Sequence, residues 1–255
     1  MLPFIFLTYI IYGKSNKVHL SSIFTFMNKF LYLALLLSSC YAKDKTAFSK
    51  NSIAVNASTN KAVNYDSCKK AIAIIKRQQK SKWEKLSKTE QEKVFAYAVT
   101  KTIAPAWLGT KWDFNGITQE PQKGKIACGY FVTTVLRDAG LPIERVKLAQ
   151  CASEKLVTTI VQEKYIKRFS AVAMDDFMAY LKLNGFGLYI VGLDNHTGFI
   201  FNDGLDIWFI HSSILGTRDV QKEKAAGSSI LQKSKYRIVG KISEDEKVLE
   251  RWIDS

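Results

Sequence analysis

The sequence predicts an α+β fold in which helices come first and an antiparallel sheet follows. Two observations carry this. Apolar residues at helical spacing, with recognisable caps, occupy the stretch from residue 67 to 184, and short β-branched or aromatic runs separated by turn residues begin at Gly187. No internal repeat is visible, and residues 65–255 are expected to form one domain behind a leader (1–42) and a tether (43–64).

Taken in order, residues 43–64 are rich in Lys, Ser, Asn, Thr and Ala without helical or strand period, which reads as a flexible tether. A basic helix is expected from Ser67 to about Gln79. Ser87-Lys-Thr-Glu90 is a capping box ahead of Val94, Phe95, Tyr97 and Ala98, so a second helix starts there, and Pro105 is expected to end it. Gly109 to Gly124 has turn chemistry. Tyr130, Phe131, Val132, Val135 and Leu136 then predict a short buried helix from Cys128, stopped at Asp138-Ala139-Gly140 with Pro142 just beyond. Residues 151–162 and 173–184 are two further helical candidates. Gly187–Leu193, Gly198–Asn202, Ile207–Ser212 and Tyr236–Ile242 read as strands, with Asp194-Asn195 and Asn202-Asp203-Gly204 as turns.

A chain of 255 residues with 47% hydrophobic side chains can bury a full core, which excludes the disordered and fibrous classes. The formal charge is +14, and residues 1–42 contribute Lys14, Lys17 and Lys29 with no acid, leaving 34 basic against 23 acidic side chains beyond them. Such an excess suits polyanionic surroundings, whether nucleic acid, anionic lipid or a carboxylate-rich cell wall. No run of five basic residues and no stripe of basic and aromatic residues is present, so nucleic acid is not an expected partner.

Met27 to Ala42 reads as an export signal, with Asn28 and Lys29 as a short positive region and Phe30–Leu37 as the apolar region; Met27 would then be the true start. Residues 37–40, Leu-Ser-Ser-Cys, resemble a bacterial lipobox, which implies lipidation of Cys40 and attachment of the protein to a membrane through a lipid anchor; the alternative is ordinary cleavage after Ala42. Either way the domain is expected in the cell envelope, as an outer-membrane or periplasmic lipoprotein or else secreted to the periplasm. The apolar runs Leu2–Tyr12 and Phe30–Leu37 fall short of the roughly 20 residues that span a bilayer. With Cys40 set aside, Cys68, Cys128 and Cys151 remain, and the simplest partition in an oxidising compartment pairs Cys68 with Cys151 and leaves Cys128 free; two unpaired, buried thiols are the alternative.

Three histidines occur in the chain, and His19 lies in the leader. His196 and His211 fall in adjoining strand candidates joined by a turn, where antiparallel pairing can bring them together. A cysteine at a helix start meets free amide donors and the positive end of the dipole, which are expected to lower its pKa. Thiol catalysis also needs a base and a polar group that orients the base, roles open to His196 and His211.

The segments Gly109-Thr-Lys-Trp-Asp-Phe-Asn-Gly116, Ile126-Ala-Cys-Gly-Tyr-Phe-Val132, Asn195-His-Thr-Gly-Phe-Ile200 and Phe209-Ile-His-Ser-Ser213 follow in the order seen in NlpC-type papain-like cysteine peptidases. The resemblance covers about residues 105–215. It implies a papain-like fold, Cys128 as nucleophile, His196 as general base and acid, His211 as the orienting residue, and an oxyanion site of helix-start amides beginning with that of Cys128. Trp112 stands where the family has a Tyr lining the pocket, and with Asp113 and Gly129 it is a candidate substrate-binding residue. The family's Asp-Cys-Ser-Gly is replaced by Ala127-Cys128-Gly129-Tyr130, and 68 residues separate Cys128 from His196, which marks a divergent branch. The Asp and Ser that help bind a free amino end are absent.

An isolated helix cysteine is more often a core thiol. Trp112 can equally be packing, Asp113 and Asn115 turn formers, and Phe199, Phe201, Trp208 and Phe209 sheet core. Closely spaced metal-ligand pairs are missing, so neither zinc nor another cofactor is implied. The expected function is hydrolysis of peptide or amide bonds in peptidoglycan stem peptides or other envelope peptides. The alternatives are an acyltransferase using the same three residues, or a non-catalytic binding lipoprotein of the envelope.

Overall fold

The computed structural model describes residues 64–255; Met27, Cys40 and the tether up to residue 63 lie outside the described residues. The architecture is α+β, built on a six-stranded antiparallel sheet. Asn64 accepts from the Asp66 amide and starts α1 (Tyr65–Lys80). Ser87 and Glu90 exchange both bonds of the expected capping box at the head of α2 (Lys88–Tyr97). Pro105 does not end this helix as expected. The chain widens into a π-helical turn over Ala98–Ile103 and continues as α3 (Ala104–Trp107). Proline lacks an N–H, and the first turn of α3 is a place where none is needed.

Two short parallel strands follow, β1 (Lys111–Trp112) and β2 (Lys125–Ile126), and then α4 (Cys128–Asp138). Gly140, at φ +91°, ends α4 as expected: the Leu141 amide bonds back to the Leu136 carbonyl. The two middle helices are α6 (Ser153–Ile160) and α7 (Met174–Leu183), with a short α5 (Arg145–Ala149) and β3 (Ile166–Ser170) that the sequence pattern did not announce. β4 (Gly187–Leu193), β5 (Thr197–Asn202), β6 (Ile207–Ser212) and β7 (Val220–Lys224) form a meander. After the short α8 (Ser229–Lys233), β8 (Tyr236–Gly240) inserts between β3 and β4, and α9 (Glu246–Asp254) closes the chain.

The sheet is buried on both faces, which is why β4, β5 and β6 read as nearly continuous apolar runs rather than alternating ones. Leu188, Ile190, Phe199, Phe201 and Ile210 pack with Phe131, Val132, Val135 and Leu136 of α4, with α6 and with Trp252 of α9. Tyr189, Val191, Ile200 and Phe209 pack with Phe177, Met178 and Leu181 of α7. Burying each of these large side chains contributes about 1.5–3 kcal/mol, so α4 is held by its apolar face and not by a side-chain cap, which Ala127 lacks. The interval between Cys128 and His196 thus supplies one helix to each face of the sheet.

Gly129 sits in the first turn of α4 directly under the end of α5, and a Cβ there would overlap the Ala149 carbonyl. Gly129→Ala is expected to cost about 1–3 kcal/mol through this overpacking, read as a lower urea midpoint at an unchanged slope. An unshifted midpoint would contradict the packing.

Candidate functional site

Cys128 opens α4 because the peptide before it is held from two sides. Ala127, in extended conformation, donates its N–H to the Gly116 carbonyl at 2.8 Å, and the Ser212 hydroxyl donates to the Ile126 carbonyl at 2.7 Å. Gly116 has to be glycine, since a Cβ would stand 2.6 Å from the Ile126 amide nitrogen. The Gly109–Gly116 segment is therefore a cradle for the strand that leads into Cys128, and it is tied in turn to β7 by Gly109 and Thr110, which exchange main-chain bonds with Val220.

The half-buried thiol of Cys128 faces three main-chain amides: those of Thr197, Gly129 and Cys128 itself. The Thr197 amide belongs to the peptide joined to His196, so the thiol lies against the start of β5. No hydrogen bond joins the thiol to His196 among the described residues. The expected lowering of the Cys128 pKa is reversed: burial pushes it up, and this outweighs the three amides that favour the thiolate.

His196 follows the β4–β5 turn, which is pinned to β8. The Asp194 carboxylate accepts from the Ser234 hydroxyl at 2.8 Å and from the Lys235 amide at 2.7 Å. Nε2 of His196 lies 2.9 Å from Nδ1 of His211. His211 is fully buried on β6, its ring stacked on Phe209 at 3.9 Å between centroids. Gly198 makes that stack possible, since a Cβ would come within 2.8 Å of the His211 Cβ. The structure thus brings the two histidines into direct contact and sets Cys128 at the adjoining peptide.

One partner was not legible beforehand. Glu223 of β7 places Oε1 3.2 Å from Nε2 of His211, and the buried Ser228 bonds the same carboxylate. Nothing in the pattern Val220-Gln-Lys-Glu-Lys224 announces a strand, because polar residues occupy both of its faces.

The candidate substrate-binding residues are more dispersed. Trp112 pairs with Ile126 along the cradle and carries the Arg218 guanidinium 5.0 Å over its ring. Asp113 is occupied as a turn former, accepting from the Asn115 amide at 2.9 Å and pairing with Lys125 at 3.1 Å. Gly129 offers only its main-chain amide. Cys68, Cys128 and Cys151 are all free thiols, so the expected Cys68–Cys151 bridge is not formed; Cys68 packs against the core, and Cys151 donates to the Lys147 carbonyl at 3.1 Å.

Burial dominates the electrostatics of the pair. It lowers the His196 pKa to about 3, with His211 adding to the effect, and it lowers that of His211 while Glu223 opposes. Glu223 itself is held low, chiefly by its bond to His211. At neutral pH thiol and imidazoles are uncharged. Compared with family models, with curated proteins and with solved structures, the chain matches none.

A pH dependence of stability follows from the buried imidazoles. Both folded pKa values lie below the unfolded value near 6.5, so the unfolded chain binds more protons below that pH, down to about 3 in the case of His196. Stability is then full above pH 6.5 and falls on acidification, with a slope from His196 of at most about 1.4 kcal/mol per pH unit. Urea unfolding between pH 7 and 4 is expected to show this fall, flattened in His196→Gln. Equal slopes in both proteins would contradict the buried, neutral His196.

Proposed function

We propose that the chain is an exported, papain-like cysteine hydrolase that cleaves peptide or amide bonds, with peptidoglycan stem peptides as its substrate class. One observation carries the reading: the imidazole pair His196–His211, bonded at 2.9 Å, stands at the peptide whose amide meets the Cys128 thiol. A cysteine at the start of a helix that packs on an antiparallel sheet, with His211 on β6 and His196 immediately before β5, supports the papain-like arrangement.

Because the thiol and His196 rest uncharged, proton transfer accompanies attack. Sγ of Cys128 adds to the carbonyl carbon as its proton passes to His196. The oxyanion is met by the first-turn amides of α4, which Ala127 leaves uncapped. Collapse breaks the C–N bond, and His196 returns the proton to the departing amine. Water then attacks the thioester, its proton taken by His196, and the carboxylic product leaves with the thiol restored. Trp112 at the cradle would form one wall of the cleft. The export signal ending near Cys40 and the basic excess of the remaining chain support a site of action at the carboxylate-rich wall, under a lipid anchor.

Purified protein and its Cys128→Ala variant, incubated with peptidoglycan, test this by mass spectrometry of released fragments. New free carboxyl and amino ends from the wild type and a loss of at least about 10³-fold in the variant are expected. Equal release by both, or none, would overturn the reading.

A further inference from the structure

The histidine pair has a direction, and a carboxylate sets it. A chain of two neutral imidazoles can carry its protons in either of two senses, because each ring has one N–H and one bare nitrogen. In one sense His196 keeps its proton on Nε2 and offers Nδ1 as a base. In the other the proton sits on Nδ1, and the base is lost.

Glu223 distinguishes the two. An ionised carboxylate only accepts, and its Oε1 faces Nε2 of His211 at 3.2 Å, so that nitrogen carries the His211 proton. Nδ1 of His211 is then bare. It lies 2.9 Å from Nε2 of His196, which must therefore be the donor. The proton of His196 is placed on Nε2, and Nδ1 is left free. Nδ1 is also the ring nitrogen nearer the main chain, and the next amide along that main chain, that of Thr197, is one of those facing the Cys128 sulfur.

We propose that Glu223 is a positioning residue that fixes, through His211, the tautomer in which His196 carries its proton on Nε2 and keeps Nδ1 unprotonated as the base. The placement of Glu223 fits the task. It sits on β7 directly opposite Phe209, on the sheet face that carries His211, with the buried Ser228 beside it. Burial of both rings keeps them neutral, which is the condition under which a tautomer, and not a charge, decides whether a base is available. The inference rests on the hydrolase reading for its consequence in catalysis, but the tautomers are a property of the resting protein.

Two readouts on the full chain keep these apart. Long-range proton–nitrogen NMR of the imidazoles at neutral pH is expected to find His196 and His211 both protonated on Nε2 in the wild type. In Glu223→Gln, whose amide can donate as well as accept, a second population with both protons on Nδ1 is expected, and Glu223→Asp is expected to restore the wild-type pattern. Release of fragments from peptidoglycan should fall about 10²-fold in Glu223→Gln, less than the loss for a carboxylate that contacts the base directly, and recover in part in Glu223→Asp. A wild-type spectrum with Nδ1-protonated His196 overturns the proposal even if no variant folds. So does a Glu223→Gln protein with shifted tautomers and unchanged turnover. The expected tautomers in a wild type that releases nothing would uphold the relay and sink the hydrolase reading instead.

Discussion

The hydrogen bond from Ser212 to the Ile126 carbonyl joins the two halves of the molecule on which the site depends. Ser212 directly follows His211 on β6, and Ile126 stands two residues before Cys128. Whatever fixes the strand therefore fixes the helix start as well. Gly116 completes the clamp by accepting the Ala127 amide, and its lack of a side chain is what lets the cradle approach so closely. The helix then begins at Cys128 without a side-chain cap, and its first amides, those of Cys128 and Gly129, face the thiol.

Burial shapes the chemistry of this arrangement as much as proximity does. A helix start alone would favour a thiolate, yet desolvation outweighs it and raises the Cys128 pKa. The same low-dielectric surroundings depress both histidines. A resting thiolate–imidazolium pair is disfavoured on both sides. A neutral pair needs a correctly placed lone pair rather than a charge, and placing it falls to hydrogen bonds further along the sheet. Asp194 holds the turn before His196, Gly198 opens room for the His211 ring, and Glu223 closes the chain of donors.

Local signals in the sequence located most of the helices and the central strands. Ser87 with Glu90, the stop at Gly140, and the apolar spacing behind Cys128 are short-range chemistry and survive folding unchanged. Three features were hidden because their cause is tertiary. The helix passes Pro105 only because a π-helical turn widens ahead of it. β7 is a polar edge strand whose pairing with β6, and not its composition, makes it a strand, so Glu223 could not be linked to His211. Gly129 looks like a motif residue, but its glycine is required by the closeness of α5. The helix α9 is a different case: Val248, Leu249, Trp252 and Ile253 behind Asp245 carry a readable helical stripe at the end of a region otherwise rich in strands.

Covalent trapping tests the nucleophile assignment most directly. Protein turning over peptidoglycan fragments, quenched in acid and digested, is expected to yield an acyl thioester on the peptide that carries Cys128, with the peptides of Cys68 and Cys151 unmodified. Fragment release without any adduct on Cys128, or with the adduct on another cysteine, would contradict it.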